Sequence, residues 1–172
     1  GDCNSEIPVP KFDGGQLDIE FKCPVQFDEL TLLNATAQGD TVALYDIDNV
    51  LLDTFLIGQF GDNSVQTIKT INGRQNWRGV SKVSIVTGVD LALVDFQFTE
   101  CCDDPSDKCR TCLEEVTVDF YQFTAGNINL NIPDLTLSSD QNPVTNPLMI
   151  FDTENPTGGD TDLGTPNSDF AG

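Results

Sequence analysis

The acidic side chains near the C-terminus are the first candidates for chemistry. Phe151 to Gly172 reads FDTENPTGGDTDLGTPNSDFAG and carries Asp152, Glu154, Asp160, Asp162 and Asp169 among four glycines and two prolines. Calcium takes six to eight oxygen ligands, several of them anionic, on flexible loops. Gly158-Gly159-Asp160-Thr161-Asp162 turns tightly and presents two carboxylates from one loop, and Gly164 adds accessible carbonyls. Pro156 and Pro166 stiffen the stretch and lower the entropy lost on ordering. The expected metal is therefore calcium, with Asp152, Glu154, Asp160, Asp162 and Asp169 as the candidate ligands. An unliganded acidic tail is the competing reading.

Six cysteines form the second group: Cys3, Cys23, Cys101, Cys102, Cys109 and Cys112. An even count in an acidic chain that begins at Gly1 reads as three disulfides in a processed, extracellular protein. Fifteen pairings are possible, and Cys3 with Cys23 is a reasonable one. Cys109-x-x-Cys112 brings zinc into consideration, against the short spacing from Cys101 and Cys102. Histidine is absent, which removes Ser-His-Asp and Cys-His catalysis and every histidine-ligated metal site. The net charge of −20, from 28 acidic and 8 basic residues, repels nucleic acid and strains a compact chain by self-repulsion. Bound cations relieve that strain. No apolar run approaches the ~18 residues of a membrane-spanning helix.

The elements that must position these groups are strands. Leu17, Ile19 and Phe21 alternate on one face, as do Val42 with Leu44, Val83 with Ile85, Val94 with Phe96 and Phe98, Val116 with Val118 and Phe120, and Ile128 with Leu130 and Ile132. Turn signals separate them at Asp13-Gly14-Gly15, Gln38-Gly39-Asp40, Asp46 to Asn49, Phe60 to Asn63 and Asn72-Gly73-Arg74. Asp46 and Asp48 read as the turn of a hairpin, because an EF-hand glycine and closing glutamate are missing. The expected fold is all-β, an antiparallel β-sandwich of the jelly-roll kind with a smaller second β segment. Its parts are a core over 1–100, a cysteine-rich connector over 101–112, further strands over 113–150, and the acidic Gly/Pro segment over 151–172.

The motif from Phe151 to Phe170 resembles a signature of large modular extracellular proteins of aquatic microbes. It runs Phe-Asp-Ser/Thr-x-Asn-Pro-Thr-Gly-Gly-Asp-x-Asp-Leu-Gly-Thr-Pro-Asn. The stretch from Phe12 to about Phe98, with Gly61 to Thr67 (GDNSVQT) and Val94-Asp95-Phe96, is similar to the jelly-roll core of the same modules. The resemblance implies a calcium-associated jelly roll in an extracellular or cell-surface setting, and picks out Asp95 with Asp152, Asp160 and Asp162 as the ligand set. In those modules the acidic segment precedes the core, whereas here it follows. That order implies head-to-tail self-association, with residues 147–172 finishing the next unit; the alternative is a monomeric circular permutant whose segment folds back onto its own domain.

The expected function is thus structural: a calcium-stabilised, disulfide-bonded repeat unit of a fibre, surface layer or matrix. The alternative is a calcium-dependent carbohydrate-binding module binding glycans around Trp77, beside Arg74 and Arg78. An enzyme is not expected, since the acids lie in glycine-rich loops with no apolar pocket to raise one pKa. Lys69, Arg74, Arg78 and Lys82 gather half of the basic residues, as a partner patch or a solvated loop. Asn34-Ala35-Thr36 makes Asn34 the candidate glycosylation site.

Overall fold

Alternating apolar and polar residues bury one face of an extended chain and leave the other in water, and the alternation here is realised as strands throughout. The computed structural model describes residues 9–34, 39–57, 64–69, 77–101, 112–120, 123, 132–140 and 148–151. Side chains are described within these outside 9–14, 89–90, 100–101, 112–115, 119 and 149–151. The strands are β1 (Val9–Leu33), β2 (Thr41–Tyr45), β3 (Leu51–Leu56), β4 (Val65–Lys69), β5 (Trp77–Cys101), β6 (Cys112–Asp119), β7 (Leu135–Ser139) and β8 (Met149–Phe151). They form one eight-stranded antiparallel sheet with the order β3-β2-β5-β1-β4; β6 adds to β5, and β7 and β8 add to β1.

Two strands of 25 residues, β1 and β5, organise everything else. A straight strand of that length would span about 80 Å, whereas a compact chain of this size has a radius of gyration of roughly 16 Å. Both strands therefore have to bend. Their pairing shows where. Along Lys11 to Glu20, β1 meets Ala92 down to Lys82 of β5. After Phe21 to Pro24 it resumes against Val80, Arg78 and Trp77. Val25 to Leu33 pairs a second time, with Glu100 down to Ala92. In both sets the partner number falls as β1 advances, so the strands run in opposite directions. Val25, Gln26 and Phe27 hold β5 on both edges at once.

The bends sit at bulges. Phe21 to Pro24 stand against the single residue Ser81, and Gly79 is an extra residue between the partners of Val25 and Gln26. Gly79 has φ +76°, a left-handed conformation that side chains with a Cβ rarely adopt. A Cβ there would meet nothing within 4 Å, so backbone conformation and not space fixes glycine at this position. Asp13-Gly14-Gly15, expected as a turn, instead lies within β1, where the register against β5 slips between Asp13 and Gly15.

The core is built from the predicted inward faces. Leu17, Ile19, Leu44, Val83, Ile85, Phe96 and Phe120 are fully buried, with Phe21, Val42, Phe98 and Val118 nearly so. Val94 packs instead against Leu33 and Ala92, in a second small cluster. Phe rings tie distant parts of the long strands together. Phe21 lies 5.0 Å from Phe98 and 6.4 Å from Phe96, although neither is its partner in the sheet, and Phe96 lies 6.3 Å from Phe120. Such contacts add about 0.5–1.5 kcal/mol each beyond their buried area. Of the strand expected through Ile128 and Leu130, only Ile132 falls among the described residues, in an isolated bridge to Leu135.

Phe96→Ala removes the ring at the centre of this network and is expected to cost about 3–5 kcal/mol. Leu56→Ala, at a side chain 75% exposed, is expected to change stability by under ~0.5 kcal/mol. Urea unfolding followed by circular dichroism measures both. Equal losses for the two variants would contradict this core.

Candidate functional site

Asp95 occupies a central position. On β5 it stands opposite Thr31 of β1 on one side and opposite Asp119 of β6 on the other. Asp95 is half-buried and engaged in local interactions. Residues opposite one another in an antiparallel pair share a face, with Cβ atoms about 4.5–5.5 Å apart. The sheet thus sets two carboxylate-bearing residues side by side, and like charges so placed repel. The residues that create this juxtaposition are a repeated tripeptide: Val94-Asp95-Phe96 on β5 and Val118-Asp119-Phe120 on β6. In each, the phenylalanine is buried in the common core. Asp119 was not singled out from sequence; the second Val-Asp-Phe is the signal that marks it.

The acidic C-terminal segment begins at a defined place. Met149, Lys11 and Ala92 lie in one row across β8, β1 and β5. From that row β8 and β5 advance in the same direction. The chain continues from Phe151 into Asp152. Asp152, Asp160 and Asp162 lie outside the described residues. Among the described residues no group of three or more acidic or cysteine side chains is disposed to hold a metal, so these residues alone do not make a calcium site. Met149–Phe151 pairs with Val9 to Lys11 of its own chain. The start of the segment expected to finish a neighbouring unit therefore completes its own sheet.

The other candidates fall elsewhere. Cys23 is an exposed free thiol on β1, against the Cys3–Cys23 bridge expected from sequence. Cys101 and Cys112 stand on β5 and β6, and Cys3, Cys102 and Cys109 lie outside the described residues. Asn34 is buried at 7% exposure in a left-handed conformation, φ +66°, and its N–H donates to the Ser64 carbonyl at 2.8 Å. Asp46 is a turn residue: its Oδ1 accepts from the N–H groups of Asp48 (2.9 Å) and Val50 (2.8 Å), the Asx turn that starts a hairpin.

Trp77 does not offer a sugar platform. It is 5% exposed, its Nε1 donates to Asp53 Oδ2 at 3.2 Å, and Phe55 meets its ring edge-on at 4.6 Å. The basic residues around it serve their own chain. Lys69 pairs with Glu29 at 2.8 Å, Arg78 Nε donates to Gln26 Oε1, and the Lys82 ammonium lies 4.7 Å over the Tyr45 ring. Arg74 is outside the described residues. Sequence reasoning also passed over Asp40, which is 3% exposed and accepts from Thr87 Oγ1 (2.8 Å) and Gly88 N–H (3.0 Å). These bonds tie the turn before β2 to β5.

With this geometry in hand, comparison with family models, curated proteins and solved structures gives no match.

Removing one charge of the opposed pair is expected to stabilise the metal-free protein. Asp119→Asn should raise the unfolding free energy in a chelator by about 0.2–1 kcal/mol. Urea titration at low ionic strength measures it, and a loss of stability would show that the two carboxylates do not repel.

Proposed function

We propose that this chain is an extracellular structural unit, a calcium-stabilised and disulfide-bonded β-sandwich that associates head-to-tail into a fibre, surface layer or matrix. The doubled register of β1 and β5, with phenylalanines meeting between strand segments that are not paired, supports a sheet folded over into two layers of the jelly-roll type. Calcium would be held by Asp95 and Asp119 together with Asp152, Asp160 and Asp162. Its charge would neutralise the opposed carboxylates and draw the acidic segment onto the end of β5.

The observation that carries association is an apolar patch in a chain of net charge −20. Ile47, Val50, Leu51, Leu52 and Leu56 are all exposed on the β2–β3 hairpin. Among the described residues β3 pairs with β2 alone. Ile57 N–H donates to the Asp40 carbonyl, so by alternation Thr54 and Leu56 turn their backbone groups to the open edge. A leucine-rich edge strand, uncovered among the described residues and with its one acid, Asp53, engaged by Trp77 Nε1, is a pairing surface. The alternative, a carbohydrate-binding module, loses its expected platform with Trp77 in the core.

Electron microscopy with and without a chelator tests the reading, alongside thermal unfolding. Filaments are expected in calcium and single particles after chelation. Calcium at a hundredfold excess over its Kd should stabilise by about 2.7 kcal/mol. Leu56→Asp should abolish filaments while leaving the calcium shift intact. Monomers in saturating calcium would refute the assembly, and an unchanged melting temperature would refute the metal.

A further inference from the structure

The β5–β6 ladder ends on two cysteines. Its seven rungs run from Asp95 opposite Asp119 through Phe96–Val118, Gln97–Thr117, Phe98–Val116, Thr99–Glu115 and Glu100–Glu114 to Cys101 opposite Cys112. A bulge precedes the last rung: Leu113 is skipped between Glu114 and Cys112. Of the four cysteines in CCDDPSDKCRTC, these two are the ones that the strands hold. We propose that Cys101 and Cys112 form a cross-strand disulfide that closes the 102–111 loop and locks β6 to β5.

Three observations support the bond. Residues opposite one another in antiparallel strands have Cα atoms about 4.5 or 5.5 Å apart, inside the range of about 4.4–6.8 Å that a disulfide spans. Next, the ladder needs a clamp. Glu100 faces Glu114 on the neighbouring rung, and Asp95 faces Asp119 at the far end, so two of the seven rungs set like charges together. A ladder whose loop end is an acid–acid rung frays there. Lastly, among the described residues β6 pairs with β5 alone, so a bond at its first residue would add to a single ladder. In the reaction, the two thiols give up two protons and two electrons to a small-molecule disulfide such as oxidised glutathione. One S–S bond forms in the protein, the S–S bond of the oxidant breaks, and two small thiols leave.

Trypsin supplies the test, because Lys108 and Arg110 separate the two halves. The chain is refolded with oxidised and reduced glutathione, alkylated without reduction, digested and analysed by mass spectrometry. Peptide 83–108 is expected joined to peptide 111–172 and released on reduction. Fragmentation between the adjacent Cys101 and Cys102 assigns the sulfur in the unmodified chain. The Cys102→Ser/Cys109→Ser variant assigns it independently, since Cys101 is then the one cysteine in its peptide. Alkylated Cys112, or Cys112 joined to Cys102, Cys109, Cys3 or Cys23, would overturn the proposal. Cys101→Ser/Cys112→Ser should lower the melting temperature by on the order of 10 °C under oxidising conditions and by nothing in excess reductant. An equal fall in both conditions would also overturn it.

Discussion

Everything in this sheet depends on β1 and β5 pairing with each other twice. Each contributes 25 residues, and each must bend for the second pairing to form. Val25 to Phe27 is the pivot, since it holds β5 on both edges. The short strands are then additions to a fixed frame. β2 extends the first register at Lys82 to Val86, β4 lies along Glu29 to Leu33, and β6 extends the second register from Asp95. Non-local pairing of this kind demands closure of long loops before any contact rewards it, so the buried phenylalanines at the pivot must offset that entropy. Phe27 and Phe96, both in the fully buried set, stack at 6.4 Å where the second register begins its course.

The same frame creates the electrostatic problem. A strand alternates faces, so once Phe96 and Phe120 are buried, Asp95 and Asp119 are committed to neighbouring positions. Neither aspartate can move without moving a phenylalanine. Elsewhere the chain resolves its acids internally: Asp40 accepts from Thr87 and Gly88, Asp28 from Gln26 and Thr99, and Asp134 from Lys22. With 8 basic residues for 28 acidic ones, side-chain pairing cannot neutralise them all. Counter-ions have to supply the remainder.

Much of the burial pattern was legible in the sequence, because alternation states which side chains face inward: Leu17, Ile19, Val42, Leu44, Val83 and Ile85 are all buried as read. Which strands meet was not legible. Asp13-Gly14-Gly15 and Cys23-Pro24 carry turn chemistry, yet both lie inside β1. Local turn propensity is outweighed there by pairing with a distant strand on each side of the break. Trp77 misled for a related reason. Flanked by Arg78 and polar residues it looks exposed, but it opens a strand whose inward face it occupies. Of the opposed pair, Asp95 was singled out through the resemblance of its motif. Asp119 needed the register, since nothing short of the β5–β6 pairing says that two Val-Asp-Phe tripeptides lie back to back.

Strong acidity and an exposed leucine edge look contradictory, but one follows from the other in physical terms. A neutral chain with Leu51, Leu52 and Leu56 on an open strand would pair indiscriminately. At a net charge of −20, the repulsion between copies holds that edge apart as long as the charge is unscreened. Repulsion between surface charges decays over about 8–10 Å at physiological ionic strength, and divalent cations reduce it further by binding. Edge pairing, by contrast, rests on hydrogen bonds and apolar burial that salt does not weaken. The two terms therefore respond oppositely to cations. Under the proposed assembly such a chain would stay dispersed where cations are scarce and associate where they are plentiful, which would make its surface composition a switch for assembly and not an obstacle to it.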